Sequence, residues 1–170
     1  MSSGPLPCVV IASTAQAEAA RCLLLSAKQT VYAGDIAFNV DNAMAAPDSD
    51  AMAVLLGDVV IGFYRLDYPP AAFATQAVDR HLVTLRAFAL GLAWQGRGFG
   101  LPVLAACCAD LALRHPERLT LALNVHAANV IAVHLYTRAG FVDSGEIMRG
   151  GRGGPQHLMR RALGVGQWAP

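Results

Sequence analysis

The chain has 170 residues, 55% of them hydrophobic and only 15% charged, which suits one domain and excludes intrinsic disorder. Its net charge of +1 gives no electrostatic footing for nucleic acid. No run approaches the ~18 uninterrupted apolar residues of a membrane helix.

The opening MSSGPLPCVVIAS lacks the basic region of a signal peptide, so a cytoplasmic protein with no membrane partner is expected. Residues 1–80 hold eight acids against four bases (−4), and residues 81–170 four acids against nine bases (+5). This asymmetry suits two differently charged ligands, or is chance. Cys8, Cys22, Cys107 and Cys108 form no C-x-x-C pair, so they read as reduced, buried small hydrophobes, with no metal site.

Thr14 to Ser26 carries apolar residues at helical spacing behind a Ser/Thr start, which predicts one amphipathic helix. A weaker helix is expected from about Gly34 to Met44. The runs AMAVLL and VVIGFYRL flank Gly57-Asp58 and predict a hairpin that ends at Tyr68-Pro-Pro70. His81 to Leu90 reads as a strand that enters a glycine-rich turn, Gln95 to Gly100. A helix follows to about Arg114, with Pro102 tolerated in a first turn whose N–H groups lack partners. Leu119 to Val125 reads as a strand and Asn129 to Ala139 as a helix, with Gly140 beyond its end. Val142–Arg149 and His157–Leu163 read as a closing strand pair around the glycines of residues 150–154. The expected architecture is a single α/β (α+β) domain over residues 1–170.

The chemistry concentrates at LRAFALGLAWQGRGFG. A strand entering glycines that open a helix gathers unpaired N–H groups at the positive end of a helix dipole, which suits an anion. Gly96, Gly98 and Gly100 carry no Cβ to hold a phosphate off the backbone, and Arg97 adds a cation. A strand-to-helix corner needing positive φ would use the same glycines. Leu101-Pro102 stands where a nucleotide-hydrolase loop needs Lys-Ser/Thr. The dinucleotide fingerprint would need a glycine at position 101, which is Leu, and an acid ~20 residues on in a second strand, where Arg118-Leu119-Thr120 stands.

Gln95-x-x-Gly98-x-Gly100 resembles the Q/R-x-x-G-x-G/A signature of the GNAT acyltransferases, the acetyl-CoA-dependent N-acetyltransferases. Leu123, Val125, Asn129, Ala132, Leu135, Tyr136, Gly140 and Phe141 resemble that superfamily's second pattern, L-x-V-x-x-x-N-x-x-A-x-x-L-Y-x-x-x-G-F. The resemblance implies a mixed, mainly antiparallel sheet, flanked by helices and splayed between its two central strands. It implies that Gln95, Gly96, Arg97, Gly98, Phe99 and Gly100 hold the coenzyme A pyrophosphate. Phe88, Ala89 and Leu90 would bond the pantetheine arm as an added strand, with an N–H near Leu90 facing the thioester carbonyl. It further implies acetyl-CoA as acyl donor, a small-molecule or peptide amine as acceptor, direct transfer, and a homodimer as the pairing seen in many relatives. The flanking context is also similar to the polyamine-acetylating branch.

Residues 129, 132 and 136 share one helical stripe. Asn129 reads as a cofactor contact or as an N-cap, and Tyr136 as a buried aromatic or as the acid that protonates the departing thiolate. A phenol near ~10 gives its proton to a thiolate whose thiol lies near ~8.5 uphill by about 2 kcal/mol, acceptable while the thiolate develops beside it. An aliphatic amine near ~10.4 is neutral about once in 2,500 at pH 7, so a base is needed. Where some relatives carry a Glu, this chain has Asn124; Asp67, Asp79, His81 and Glu146 are the candidates. His126 and His134 flank the second motif without evident metal partners. A coenzyme A-binding module without catalysis remains the alternative, although it would not require Tyr136.

Overall fold

The computed structural model describes residues 5–68, 80–150 and 153–164. In chain order these form β1 (Cys8–Ile11), α1 (Thr14–Arg21), α2 (Ala27–Ala33), α3 (Ile36–Ala45), β2 (Ser49–Leu56), β3 (Val59–Asp67), β4 (Leu82–Leu90), α4 (Gly100–Arg114), β5 (Thr120–His126), α5 (Val130–Arg138), β6 (Val142–Met148) and β7 (Gln156–Ala162). The strands make one sheet, ordered β1-β2-β3-β4-β5-β7-β6. Every neighbouring pair is antiparallel except β4 and β5. This is the mixed, mainly antiparallel α/β architecture expected.

Two local readings are corrected, and one strand is found where the sequence reading assigned none. The helix expected over residues 14–26 is two helices. Ser13 and Ser26 each accept the amide of the glutamine three residues on, while that glutamine's side chain takes the serine N–H. Each box fixes a helix start, so Ser26 opens α2 and cannot lie inside α1. Leu23 and Leu25, between the two helices, pack on the small core beneath them. Next, β1 pairs with β2 from Cys8↔Leu55 to Ile11↔Met52; four residues are too few to show alternation. Finally, Cys8 and Cys22 are exposed, and only Cys107 and Cys108 are buried.

Alternation along the strands divides the interior in two. Ala51, Ala53, Phe63 and Ala89 face α1 and α3, where Ala17, Ala20, Ile36, Val40 and Ala43 meet them. Met52, Val54, Leu85, Leu121, Leu123 and Val125 face the larger core with α4 and α5, around Val103, Leu104, Leu111, Tyr136 and Phe141. Each large apolar side chain buried in this way contributes about 1.5–3 kcal/mol.

The feature that makes a site is the β4–β5 pairing. It covers only Leu82↔Thr120, Val83↔Leu121 and Thr84↔Ala122, although β4 continues to Leu90 and β5 to His126. Beyond Thr84 the two strands part and leave a wedge in the sheet. A bulge contributes to the divergence: Arg65 pairs with Arg86 but Phe63 with Ala89, so β4 carries one extra residue there. Ala87 sits in this bulge at φ +52, a conformation unusual for a residue with a Cβ, and the local twist it adds turns β4 away.

Candidate active site

The chain leaves β4 through a 3-10 turn, Leu92–Trp94, and reaches α4 across the glycines. Gly96 and Gly98 stand at φ +68 and +81, with open space where a Cβ would be. Phe99, at the N-cap of α4, makes no side-chain capping bond. Among the described residues, no protein acceptor receives the N–H groups of Gly96 to Leu101. A row of free amides therefore meets the positive end of a 15-residue helix, the arrangement that holds a phosphate. Arg97 lies over the Trp94 ring at 5.3 Å, and Trp94 packs against Phe99 at 6.3 Å, so the cation is braced beside the amides. Gly100 has a different role. A Cβ there would lie 2.9 Å from Leu135 Cδ2, so its absence lets α4 approach α5.

Gln95 ties this loop to the strand, its Nε2 donating to the Leu90 carbonyl at 2.7 Å. The N–H of Gly91 donates to Ile61 on β3 at 2.9 Å. Antiparallel alternation therefore turns the Leu90 N–H to the opposite edge, into the wedge. Phe88, Ala89 and Leu90 form the bare wall of β4 that the wedge exposes.

Tyr136 reaches the wedge from α5. Its ring stands edge-on to Phe88 at 6.3 Å and to Phe141 at 5.6 Å, and it is 8% exposed. Burial, with the Cys107 thiol next in weight, pushes its hydroxyl well above the ordinary phenol value, so the group is a protonated donor at any working pH. Asn129 is the N-cap of α5, its Oδ1 accepting from Ala132 N at 3.4 Å. Its side-chain oxygen thus serves the helix.

Residues 19–141 match the model of the Acetyltransferase (GNAT) family. The chain belongs to that family.

No curated protein matches the sequence, and the structural likenesses that follow are distant in sequence. AAC(6')-Ib in complex with paromomycin and acetyl-CoA superposes with a TM-score of 0.73 at 15% identity, over 92% of this chain and 93% of that one. Aminoglycoside N(6')-acetyltransferase from Legionella pneumophila gives 0.71 at 14% identity, over 96% and 95%. Spermidine N-acetyltransferase from Vibrio cholerae, with CoA and spermine, gives 0.68 at 16% identity, over 92% and 95%. At these identities the likeness is one of fold, and the fold is that of the GNAT acetyltransferases.

In this GNAT chain the base candidates read from the sequence stand away from the wedge. Asp67 pairs with Thr84 at the closed end of β4 and is engaged by Arg65 at 2.8 Å, Arg86 at 3.1 Å and the Ser49 hydroxyl at 2.5 Å. His81 precedes β4 and meets the Glu117 carbonyl at 2.7 Å. Glu146 lies on the exposed strand β6, 3.5 Å from Arg160. Asp79 lies outside the described residues. Among the described residues, no cluster of three His, Cys, Asp or Glu could hold a metal, and no helix is long and apolar enough to cross a membrane.

Two contributors escaped the sequence reading. Trp94 carries a signal, an aromatic three residues before Arg97. The bulge at Ala87 has none, because alanine gives no hint of a positive φ.

Proposed function

We propose that the whole chain is one acyltransferase domain that moves an acetyl group from acetyl-CoA directly to a primary amine of a small molecule or peptide. The observation that carries this reading is the uncapped N-terminus of α4 with its free glycine-loop amides, set at the mouth of the β4–β5 wedge. The amides of Gly96 to Gly100 and the Arg97 guanidinium would hold the diphosphate. The bare edge at Phe88 to Leu90 would receive the pantetheine amides, and the Leu90 N–H would face the thioester oxygen where charge develops.

Tyr136 is the acid of the reading. It protonates the sulfur as the carbon–sulfur bond breaks. Its raised pKa makes full ionisation costlier than in water, so transfer is concerted with departure of the thiolate. The Asn129 amide nitrogen remains available to the cofactor. A cytoplasmic location and pairing into a homodimer belong to the same reading and are read out by fractionation and by solution mass.

The deciding experiment is release of free thiol from acetyl-CoA across an amine panel of polyamines, aminoglycosides, amino acids and peptide N-termini. Thiol release with at least one amine, and mass increase of that amine by one acetyl group, is the expected result. Tight binding of acetyl-CoA with no release from any amine would make the chain a coenzyme A-binding module instead.

A further inference from the structure

His126 ends β5 and is 6% exposed, yet its Nδ1 is, among the described residues, one of three buried side-chain N or O atoms without a hydrogen-bond partner. Its position is fixed on every side. Its carbonyl accepts from Asn129 N at 2.8 Å, and the next residue, Ala127, donates to the Pro155 carbonyl at 2.9 Å. The imidazole lies beside the Tyr32 ring of α2 at 5.3 Å. Its Nε2 is 3.5 Å from the side-chain amide of Gln156 on β7, and an amide that turns over can hold either imidazole tautomer. Gly153 crosses directly above: a Cβ there would lie 2.9 Å from Cε1 and 3.0 Å from Nδ1. Among the described residues, the titratable group that faces the ring is the Tyr32 phenol. From β7 the facing group is an uncharged amide, and Gly153, among the described residues, adds no side chain.

Two relationships bring this ring level with the Leu90 N–H, on the α2 face of the sheet. Counting from Thr84↔Ala122, Leu90 is six residues on, one of them absorbed by the bulge, which places it level with about residue 127 on β5. The Leu90 N–H and His126 therefore stand at the same height on opposite walls of the wedge. The faces are opposite as well. Leu123 and Val125 point to the α4–α5 core, so His126 points to the α2 side, where Tyr32 meets it, whereas Tyr136 lies in the α4–α5 core.

We propose that His126 is the proton acceptor for the incoming ammonium, within a subsite formed with Tyr32, Gln156 and Gly153 on the α2 face of the wedge. This inference rests on the acetyltransferase reading above and deepens it. The ammonium gives one proton to the unpartnered imidazole nitrogen, and the freed nitrogen lone pair attacks the thioester carbonyl carbon. A carbon–nitrogen bond forms, the carbon–sulfur bond breaks and its electron pair leaves on sulfur, which takes a proton from Tyr136. The second nitrogen proton, lost on collapse, passes to water, water restores the proton that Tyr136 gave to sulfur, and the imidazolium returns its own to water. Amine entry on one face and thiol departure on the other is the order that a direct transfer requires.

The test compares His126→Gln with the wild type, by thiol release at saturating acetyl-CoA with an active amine, between pH 6.5 and 9. Once the base is deprotonated, the proton count of base plus ammonium is constant, so the wild-type kcat/KM for the amine reaches a plateau within this range. Without the base, only the free amine reacts. The variant is then expected to be roughly 100-fold slower at pH 7 and to gain about tenfold per pH unit, closing the gap, with acetyl-CoA affinity unchanged. A loss of the same size at every pH, or no loss, overturns the assignment while leaving the acetyltransferase reading intact. A wild type that acetylates no amine overturns both. If the glutamine variant does not fold, Gly153→Ala displaces the imidazole from above. Its kcat/KM for the amine should fall at least tenfold with acetyl-CoA binding retained, and an unchanged value overturns the proposal.

Discussion

The side chain of Gln95 holds the carbonyl of Leu90 at 2.7 Å, and this one bond joins the two halves of the proposed donor site. Leu90 presents its N–H to the wedge and its carbonyl to the loop, so the register of the thioester donor depends on where the glycine loop sits. Gln95→Leu leaves that carbonyl without its partner, at about 1–2 kcal/mol. KM for acetyl-CoA is expected to rise on the order of tenfold, with KM for the amine little changed, as steady-state kinetics with each substrate varied would reveal.

Gly98 adopts φ +81 with nothing within 4 Å of a would-be Cβ. Alanine there meets backbone strain of about 1 kcal/mol and no steric neighbour. The fold should tolerate Gly98→Ala with a small drop in melting temperature, while the loop relaxes and turns its amides away. Calorimetric titration with coenzyme A should show affinity falling several-fold or more, and unchanged affinity would remove the loop from the diphosphate site.

Tyr136 contributes a ring to Phe88 and Phe141, and a hydroxyl with no protein partner among the described residues. Tyr136→Phe keeps the packing and deletes only the donor. Stability and coenzyme A affinity should be nearly unchanged, and kcat should fall by roughly 100-fold. A kcat within twofold of wild type would strip the tyrosine of its acid role.

Burial pushes the hydroxyls of Tyr64 and Tyr136 and the thiol of Cys107 upward. Each folded-state value exceeds the unfolded one, so each stabilises the fold in full below its unfolded value and loses that contribution as pH rises beyond it. With ordinary values near ~8.5 for a thiol and ~10 for a phenol, the melting temperature should hold to about pH 8.5 and fall increasingly above 10. The Tyr64 hydroxyl, fully buried against the Cys107 thiol, has no well-formed hydrogen bond. Tyr64→Phe removes an unsatisfied group and should raise stability by about 1 kcal/mol at pH 7, with a shallower alkaline decline in differential scanning calorimetry.

Arg65, 5% exposed, spans three partners: Asp67 at 2.8 Å, Asn42 Oδ1 at 2.6 Å and the Ser49 hydroxyl at 3.0 Å. Arg65→Met removes one of the three partners of the Asp67 carboxylate, which keeps Arg86 and the Ser49 hydroxyl, and takes the guanidinium donor from the Asn42 side-chain oxygen. The expected cost is about 1–3 kcal/mol in chemical denaturation, with the kinetic constants of the remaining folded enzyme unaffected, because the cluster lies at the closed end of β4.

Much of this protein was legible as local pattern. The hairpin around Gly57, the strand before the glycines, the helices over 100–114 and 130–138, and the two GNAT motifs follow from alternation, helical spacing and glycine placement, all of which act between near neighbours. The helix break at Ser26 was legible too, through two serine–glutamine capping boxes that apolar periodicity alone conceals. Tertiary structure decided the rest. The length of the β4–β5 pairing, the bulge at Ala87 and the height of Leu90 against His126 depend on how strands remote in sequence settle on two cores. Asn129 and His126 sit three residues apart in one motif, yet the first turns inward to cap a helix while the second meets Tyr32 and Gly153 across the sheet. Residue type and spacing specify which groups are available; the burial of a side chain and the partners it lacks are set only when distant segments close over it.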